Sequence, residues 1–125
     1  MSKAVAIEGD TQEVTSTAKH PADTDSKGSW SPGTLVVTRG EKVTVNGKKV
    51  ELKAEMTWTY NGGSANNIQL APAPTDSATL VANPTNLTDL NQHILVDGDE
   101  AIGSVDAGNK IIVTTSQEIL KTNVG

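Results

Sequence analysis

The chain has 125 residues and contains no cysteine and no phenylalanine, and its aromatic residues are two tryptophans and one tyrosine. Without cysteine there is no disulfide framework, no thiol nucleophile and no cysteine-based zinc site. A hydrophobic core must therefore be built from valine, isoleucine, leucine and alanine. The length corresponds to one domain, so we interpret residues 1–125 as a single folded unit.

Basic residues are also scarce, with 10 against 15 acidic ones and a net charge of −5. Proteins that bind nucleic acid need a basic patch, so we expect no nucleic-acid partner. Met1–Val5 is not followed by an apolar run of signal-peptide length, and no stretch is long enough for a transmembrane helix. We therefore expect synthesis in the cytoplasm without a signal peptide.

No segment has a convincing helical pattern, whereas a short strand pattern occurs four times. Each copy carries two aliphatic residues spaced two apart, which places both on one face of a strand. The copies are Ala4–Asp10, Lys42–Lys48, His93–Asp99 and Lys110–Ser116. The corresponding pairs are Val5/Ile7, Val43/Val45, Ile94/Val96 and Ile111/Val113.

In the first three copies a two-residue turn follows the aliphatic pair. These turns are Glu8-Gly9, Asn46-Gly47 and Asp97-Gly98. Such pairs favour the type I′ turn of a tight hairpin, and we place the return strand of the second copy at Val50 and Leu52. The copies are unevenly spaced, which excludes a solenoid of fixed period. The pattern therefore predicts an all-β protein built from hairpins.

The stretch 61–91 is rich in glycine, asparagine and proline. We predict a long inserted loop there, which either packs against the outside or carries short strands such as Ile68–Leu70 and Ala78–Val81. Just before it, Met56, Trp58 and Tyr60 alternate along one strand and should share a face.

Catalytic patterns are weak. The segment Gly28–Gly33 lacks the glycine two residues before the serine that a hydrolase elbow needs, and Pro32 removes the backbone N–H that follows Ser31. The acidic run that begins at Asp97 has Ala101 and Ile102 where a calcium loop needs an oxygen ligand and a glycine. Paired carboxylates for glycoside cleavage remain an open alternative. We expect no enzymatic activity.

His20 and His93 are the only histidines and the main candidates for metal ligands. A structural zinc site usually has four ligands, so Asp23 or Asp25 would have to complete it. Alternatively, both histidines are ordinary polar residues, His20 in a loop and His93 at the start of a strand.

The order of four elements resembles PAAR and PAAR-like proteins, the tip caps of spikes in contractile injection systems. These elements are the Val-x-Ile unit at Ala4–Asp10, the loop with His20, the hairpin at Lys42–Val50 and the hydrophobic hairpin introduced by Asn109-Lys110. Together they cover about half of the chain. The Pro-Ala-Ala-Arg motif itself is absent, and the family's cysteine metal ligand has no counterpart here.

The resemblance implies a small cone or prism of β-hairpins with pseudo-threefold arrangement. It implies a structural role: capping a trimeric β-helical spike in a one-to-three complex and sharpening it for membrane puncture. It also implies delivery outward on a phage tail, a type VI secretion system or an extracellular injection particle, with effector cargo as an additional partner and transient contact with the target membrane.

The family binds one zinc or iron ion near the tip, and His20 lies where one family ligand lies. His93 is the second candidate ligand. The aliphatic faces would form the core and the partner-binding base: Val43, Val45, Ile94, Val96, Ile111 and Val113. The alternative function is another small β-rich module, such as a virion decoration protein or a domain that binds protein or glycan.

Overall fold

The computed structural model describes residues 2–123, which form strands and loops with no helix in that range. Consequently, no helix of the described chain could cross a membrane. The all-β prediction is confirmed. In chain order the strands are β1 (Ser2–Ala4), β2 (Thr11–Val14), β3 (Ser29–Pro32), β4 (Val36–Val45), β5 (Lys48–Asn61), β6 (Ser64–Ala65), β7 (Ile68–Gln69), β8 (Thr75–Val81), β9 (Thr88–Asp89), β10 (Gln92–His93), β11 (Glu100–Ile102), β12 (Lys110–Val113) and β13 (Lys121–Asn123).

The largest sheet is organised around β5. One edge of β5 pairs with β8, and the other pairs with β4 along its first half and with β3 along its last residues, all antiparallel. Met56, Trp58 and Tyr60 are buried on one face of β5, as the alternation predicted. Thr57 on the opposite face is exposed, so this sheet has one buried and one solvated face.

A second sheet has the order β11-β12-β2, with both pairings antiparallel. Ile111 and Val113 of β12 are buried against Met56, Trp58 and Leu80 of the first sheet. The same core cluster contains Ala6 and Leu95. We call it the large core.

The predicted hairpin at Asn46-Gly47 is confirmed. Asn46 and Gly47 have φ values of 51° and 81°, the pair of positive values that a type I′ turn requires, and Val45 pairs with Lys48 across the turn. Asparagine and glycine adopt this conformation at low cost, which is why the sequence signal was reliable here.

The prediction of hairpins at Glu8-Gly9 and Asp97-Gly98 is wrong. Only the glycine of each turn has positive φ, which is the pattern of a type II turn, and the flanking segments diverge instead of pairing. In each turn the aspartate that follows the glycine favours this geometry, because its side chain binds the backbone N–H three residues before it. Asp10 Oδ2 accepts the N–H of Ile7 at 3.0 Å, and Asp99 Oδ2 accepts that of Val96 at 2.9 Å.

The stretch 61–91 is not one irregular loop. It contains β6 to β9, and the whole of β8 lies within it and pairs with β5 over seven residues. Its two tight turns, Asn66-Asn67 and Leu90-Asn91, have positive φ at both positions and join β6 to β7 and β9 to β10. Part of this stretch is therefore integral to the largest sheet.

Candidate partner-binding site

Three distant segments of the chain meet in a closed ring of backbone hydrogen bonds. The N–H of Ala6 donates to the carbonyl of Leu95 at 2.8 Å, Leu95 donates to Glu51 at 2.9 Å, and Glu51 donates to Ala6 at 3.0 Å. Each residue therefore donates to the next and accepts from the one before. We call this arrangement the ring. Its three members have the same relation to one another, as three copies around a threefold axis would.

The ring changes the assignment of the repeated pattern. Its strands are the first copy, the third copy and the return strand of the second copy, with the pairs Val5/Ile7, Ile94/Val96 and Val50/Leu52. The second copy itself, with Val43 and Val45, lies on β4. From the sequence, Val43/Val45 was chosen because the Asn46-Gly47 turn follows that pair. In the structure the turn connects β4 to β5, and it is β5, with Val50 and Leu52, that contributes the ring strand.

A compact aliphatic cluster packs on one side of the ring. Its buried members come from all three ring strands and from β4: Val5, Ile7, Val45, Val50, Leu52 and Ile94. Three half-buried residues lie against it, Val43, Leu87 and Leu120, and we call these the apolar rim. The aliphatic cluster contains no aromatic residue, because both tryptophans and the tyrosine belong to the large core.

The side chains predicted to bind a partner lie mainly inside the chain. Five are buried and only Val43 is half-buried; the buried ones are Val45, Ile94, Val96, Ile111 and Val113. Buried side chains support a surface and do not touch what docks on it. Ile111 and Val113 also belong to the large core and not to the aliphatic cluster. A partner at the ring would instead meet rim residues such as Val43.

Glu51 is the polar member of the ring and is almost fully buried. Its Oε1 accepts the backbone N–H of Thr11 at 3.0 Å and the Thr11 hydroxyl at 2.7 Å. Burial raises the pKa of this carboxyl, and the charge of the nearby buried Asp10 adds to the shift, while the two Thr11 hydrogen bonds and Arg39 partly offset it.

At the far end of β5 the side chains of His20, Trp30 and Tyr60 form a small aromatic cluster. The His20 ring lies 5.8 Å from Trp30 and 5.7 Å from Tyr60, and Trp30 meets Tyr60 edge-on at 5.1 Å between centroids. Trp30 is buried, and its Nε1 has no hydrogen-bond partner among the described residues. We call this region the aromatic end.

Asp23 holds the loops of the aromatic end together. Its carboxylate accepts the Tyr60 hydroxyl at 2.5 Å and backbone N–H groups of Lys27, Gly28 and Ser64 at 2.8 to 3.2 Å. The Tyr60 hydrogen bond, supported by those from the backbone, lowers the pKa of Asp23 against the opposing effect of burial. Burial and the same contact raise the pKa of Tyr60.

Asp76 and Asp89 likewise accept backbone N–H groups from other segments of the chain and hold those segments together. Burial alone would raise the pKa of Asp76, but the Asn109 amide and the N–H groups of Val105, Asp106 and Ser77 lower it. Asp89 Oδ2 accepts the N–H groups of Val43 at 2.8 Å and Lys42 at 2.9 Å, and these bonds lower its pKa.

Sequence analysis named Asp23 only as a supplementary metal ligand, and it identified the structural role of none of these three buried aspartates. A buried acid that binds backbone groups has no local pattern separating it from the acids of a solvated surface.

The structure does not bring His20 and His93 together. His20 packs on Tyr60, and His93 lies two residues before Leu95, which bonds to Glu51. Glu51 and Tyr60 are nine positions apart on β5, which corresponds to about 30 Å of strand.

The described residues also do not fit a metal centre. His20 Nδ1 already accepts the N–H of Ala22 and His93 Nδ1 that of Thr85, and no group of three histidine, aspartate or glutamate residues within 2–123 is arranged to hold a metal ion. Asp23, one of the predicted supplementary ligands, is occupied by its four hydrogen bonds. Zinc or iron binding therefore has no structural support here and stays a prediction for elemental analysis.

No protein-family model, curated protein or solved structure matches this chain.

Proposed function

We propose that the chain is a structural spike-tip protein, which caps the end of a trimeric β-helical spike in a contractile injection system and sharpens it for membrane puncture. The observation that carries this proposal is the ring of Ala6, Glu51 and Leu95. A single chain that presents three equivalent strands around one axis is matched in symmetry to the end of a trimer. The cyclic bonding of the ring is also consistent with the pseudo-threefold arrangement that the resemblance to PAAR-like proteins implies.

The physical need for such a cap is general. The end of a β-helical spike exposes unpaired strand edges and apolar side chains, and exposed edges promote aggregation unless they are covered. A small β protein can cover them by adding its own strands and side chains. The all-β fold and the aliphatic cluster at the ring are consistent with this role, which requires no catalysis.

Co-expression with the trimeric spike protein of the same gene cluster tests the proposal. We expect one copy of this chain per spike trimer, measured by size-exclusion chromatography with light scattering. Absence of a one-to-three complex, with both proteins folded, would refute the proposed function. Specific capture of a glycan on an array, without spike binding, would favour the alternative of a glycan-binding β module.

A further inference from the structure

The two ends of the molecule differ in how they expose large apolar side chains. Leu90 and Ile119, which are 46% and 73% exposed, are close in sequence to the apolar rim residues Leu87 and Leu120. At the aromatic end Ile68 is similarly exposed, at 70%, but lies on the short β6–β7 hairpin. Leu90 and Ile119 thus lie on segments that pack against the aliphatic cluster through Leu87 and Leu120.

The apolar rim follows the threefold arrangement of the ring. The carbonyl of Leu120 accepts the N–H of Val5 at 3.1 Å, which places Leu120 at one ring strand. Thr88, next to Leu87, pairs with His93, next to Ile94 of the second ring strand. Val43 lies on β4, which pairs with the third ring strand in β5. Each ring strand therefore has one half-buried apolar residue from a different segment beside it.

The backbone conformation of Leu90 is the strongest indication that this end of the molecule binds a partner. Leu90 has a φ of 49° at the first central position of the turn between β9 and β10, where asparagine, aspartate or glycine is the ordinary residue. A leucine in the left-handed region is strained, and its side chain is exposed as well. Asparagine would cost less on both counts, so folding alone does not explain a leucine here.

The turn that carries Leu90 is also fixed in place. Asp89 is buried and accepts the N–H groups of Lys42 and Val43, so the β9–β10 turn is tied to β4 beside the apolar rim. Leu90 is therefore presented at a defined position and not on a free loop. A fixed apolar side chain that loses little entropy on binding is suited to an anchor role.

We propose that this ring end, with Leu90 and Ile119 as exposed anchors around the apolar rim, is the surface that docks on the end of the trimeric spike. The inference rests on the proposed function and deepens it, because it assigns the docking end and its contact residues. The occupant is a threefold-symmetric protein end, since the ring has three strands in cyclic order and each has one apolar rim residue near it. The aromatic end then points away from the spike.

Two matched aspartate variants test this assignment in the complex with the trimeric spike protein. Ile119→Asp should weaken spike binding on the order of tenfold or more, because it places a charge in an apolar contact. Ile68→Asp, at an equally exposed isoleucine on the other end, should bind like the wild type. Dissociation constants by biolayer interferometry and folding by circular dichroism are measured for both.

Leu90→Asn provides a second test that does not depend on the stability of Ile119→Asp. We expect a higher unfolding midpoint than the wild type, because the strain is relieved, together with weaker spike binding. A gain in both stability and affinity would contradict the anchor role.

The outcomes separate the two proposals. If the wild type forms no one-to-three complex, the proposed function fails. If the complex forms but Ile68→Asp weakens it while Ile119→Asp and Leu90→Asn do not, the function stands and the docking end is assigned wrongly. A dimer of this chain that Ile119→Asp abolishes, without any spike binding, would overturn the inference in favour of self-association.

Discussion

The ring end and the aromatic end are held together in different ways. The ring closes through three backbone hydrogen bonds with aliphatic side chains packed on it, and Glu51, the acid among its three members, has a raised pKa. The aromatic end is made of loops whose backbone N–H groups converge on Asp23, which has a lowered pKa. The ring itself depends on packing and the aromatic end on the charge of Asp23, so the two should respond differently to mutation and to acid.

Truncation of the ring leucine should have the largest effect. Leu95 is fully buried between the ring and the large core, so Leu95→Ala should lower the free energy of unfolding by about 3 kcal/mol through lost burial and a cavity. Chemical denaturation measures the change. Leu90→Ala is the matched control and should cost less than about 0.5 kcal/mol. Equal losses would mean that the ring is not a site of tight packing.

Removal of the Asp23 carboxylate should open the aromatic end and spare the ring. Asp23→Ala leaves the N–H groups of Gly28 and Ser64 without their acceptor, so we expect their hydrogen exchange to accelerate on the order of tenfold or more. The amides of Ala6 and Glu51 should keep their wild-type rates. The exposed Asp97 serves as control through Asp97→Ala. Faster exchange at the ring amides would show that the two ends are coupled.

Acid should separate the two ends in the unmodified protein. Asp23 has a lowered pKa when folded, so its stabilising effect is complete above about pH 4, the ordinary value, and is lost as the pH falls toward the folded-state pKa. We expect the amides of Gly28 and Ser64 to lose protection below about pH 4 before those of the ring. Hydrogen exchange over a pH series would record this order, and simultaneous loss would contradict it.

Neutralising Glu51 should have the smallest effect and the opposite sign. Its folded-state pKa is raised, so its contribution is favourable below about pH 4 and is lost as the pH rises through the folded-state value. Glu51→Gln should therefore raise the melting temperature by about 2–4 °C at pH 8. The gain should vanish near pH 4, and Glu55→Gln, on the exposed face of β5, should show neither effect. A pH-independent gain would point to packing instead of charge.

Local chemistry made part of the fold predictable. Asn46-Gly47 specified its turn because both residues tolerate positive φ, and the alternation of Met56, Trp58 and Tyr60 gave the buried face of β5. Leu90-Asn91 was not recognised as a turn because leucine is not expected in the left-handed region.

The ring itself could not be predicted from the sequence. It joins residues 44 to 89 positions apart through backbone groups, which are the same in every residue and leave no side-chain pattern. The repeated aliphatic pairs showed that strands would form at Val5/Ile7 and Ile94/Val96, but not which strand would complete the set. The hydrogen bond between the Asp23 and Tyr60 side chains also had no sequence signal, because 37 positions separate the two residues and no local pattern links them.

The closure of the ring also sets the order in which the protein can fold. During synthesis, Ala6 emerges first, Glu51 follows, and Leu95 becomes available only after about three quarters of the chain has been made. Contacts between such distant positions form slowly, since a long loop must be closed before the bonds are gained. Local hairpins such as the one at Asn46-Gly47 can exist earlier, but the surface with three equivalent strands cannot. A nascent or truncated chain that lacks Leu95 therefore cannot close the ring, and under the proposed function such a copy would not bind the spike.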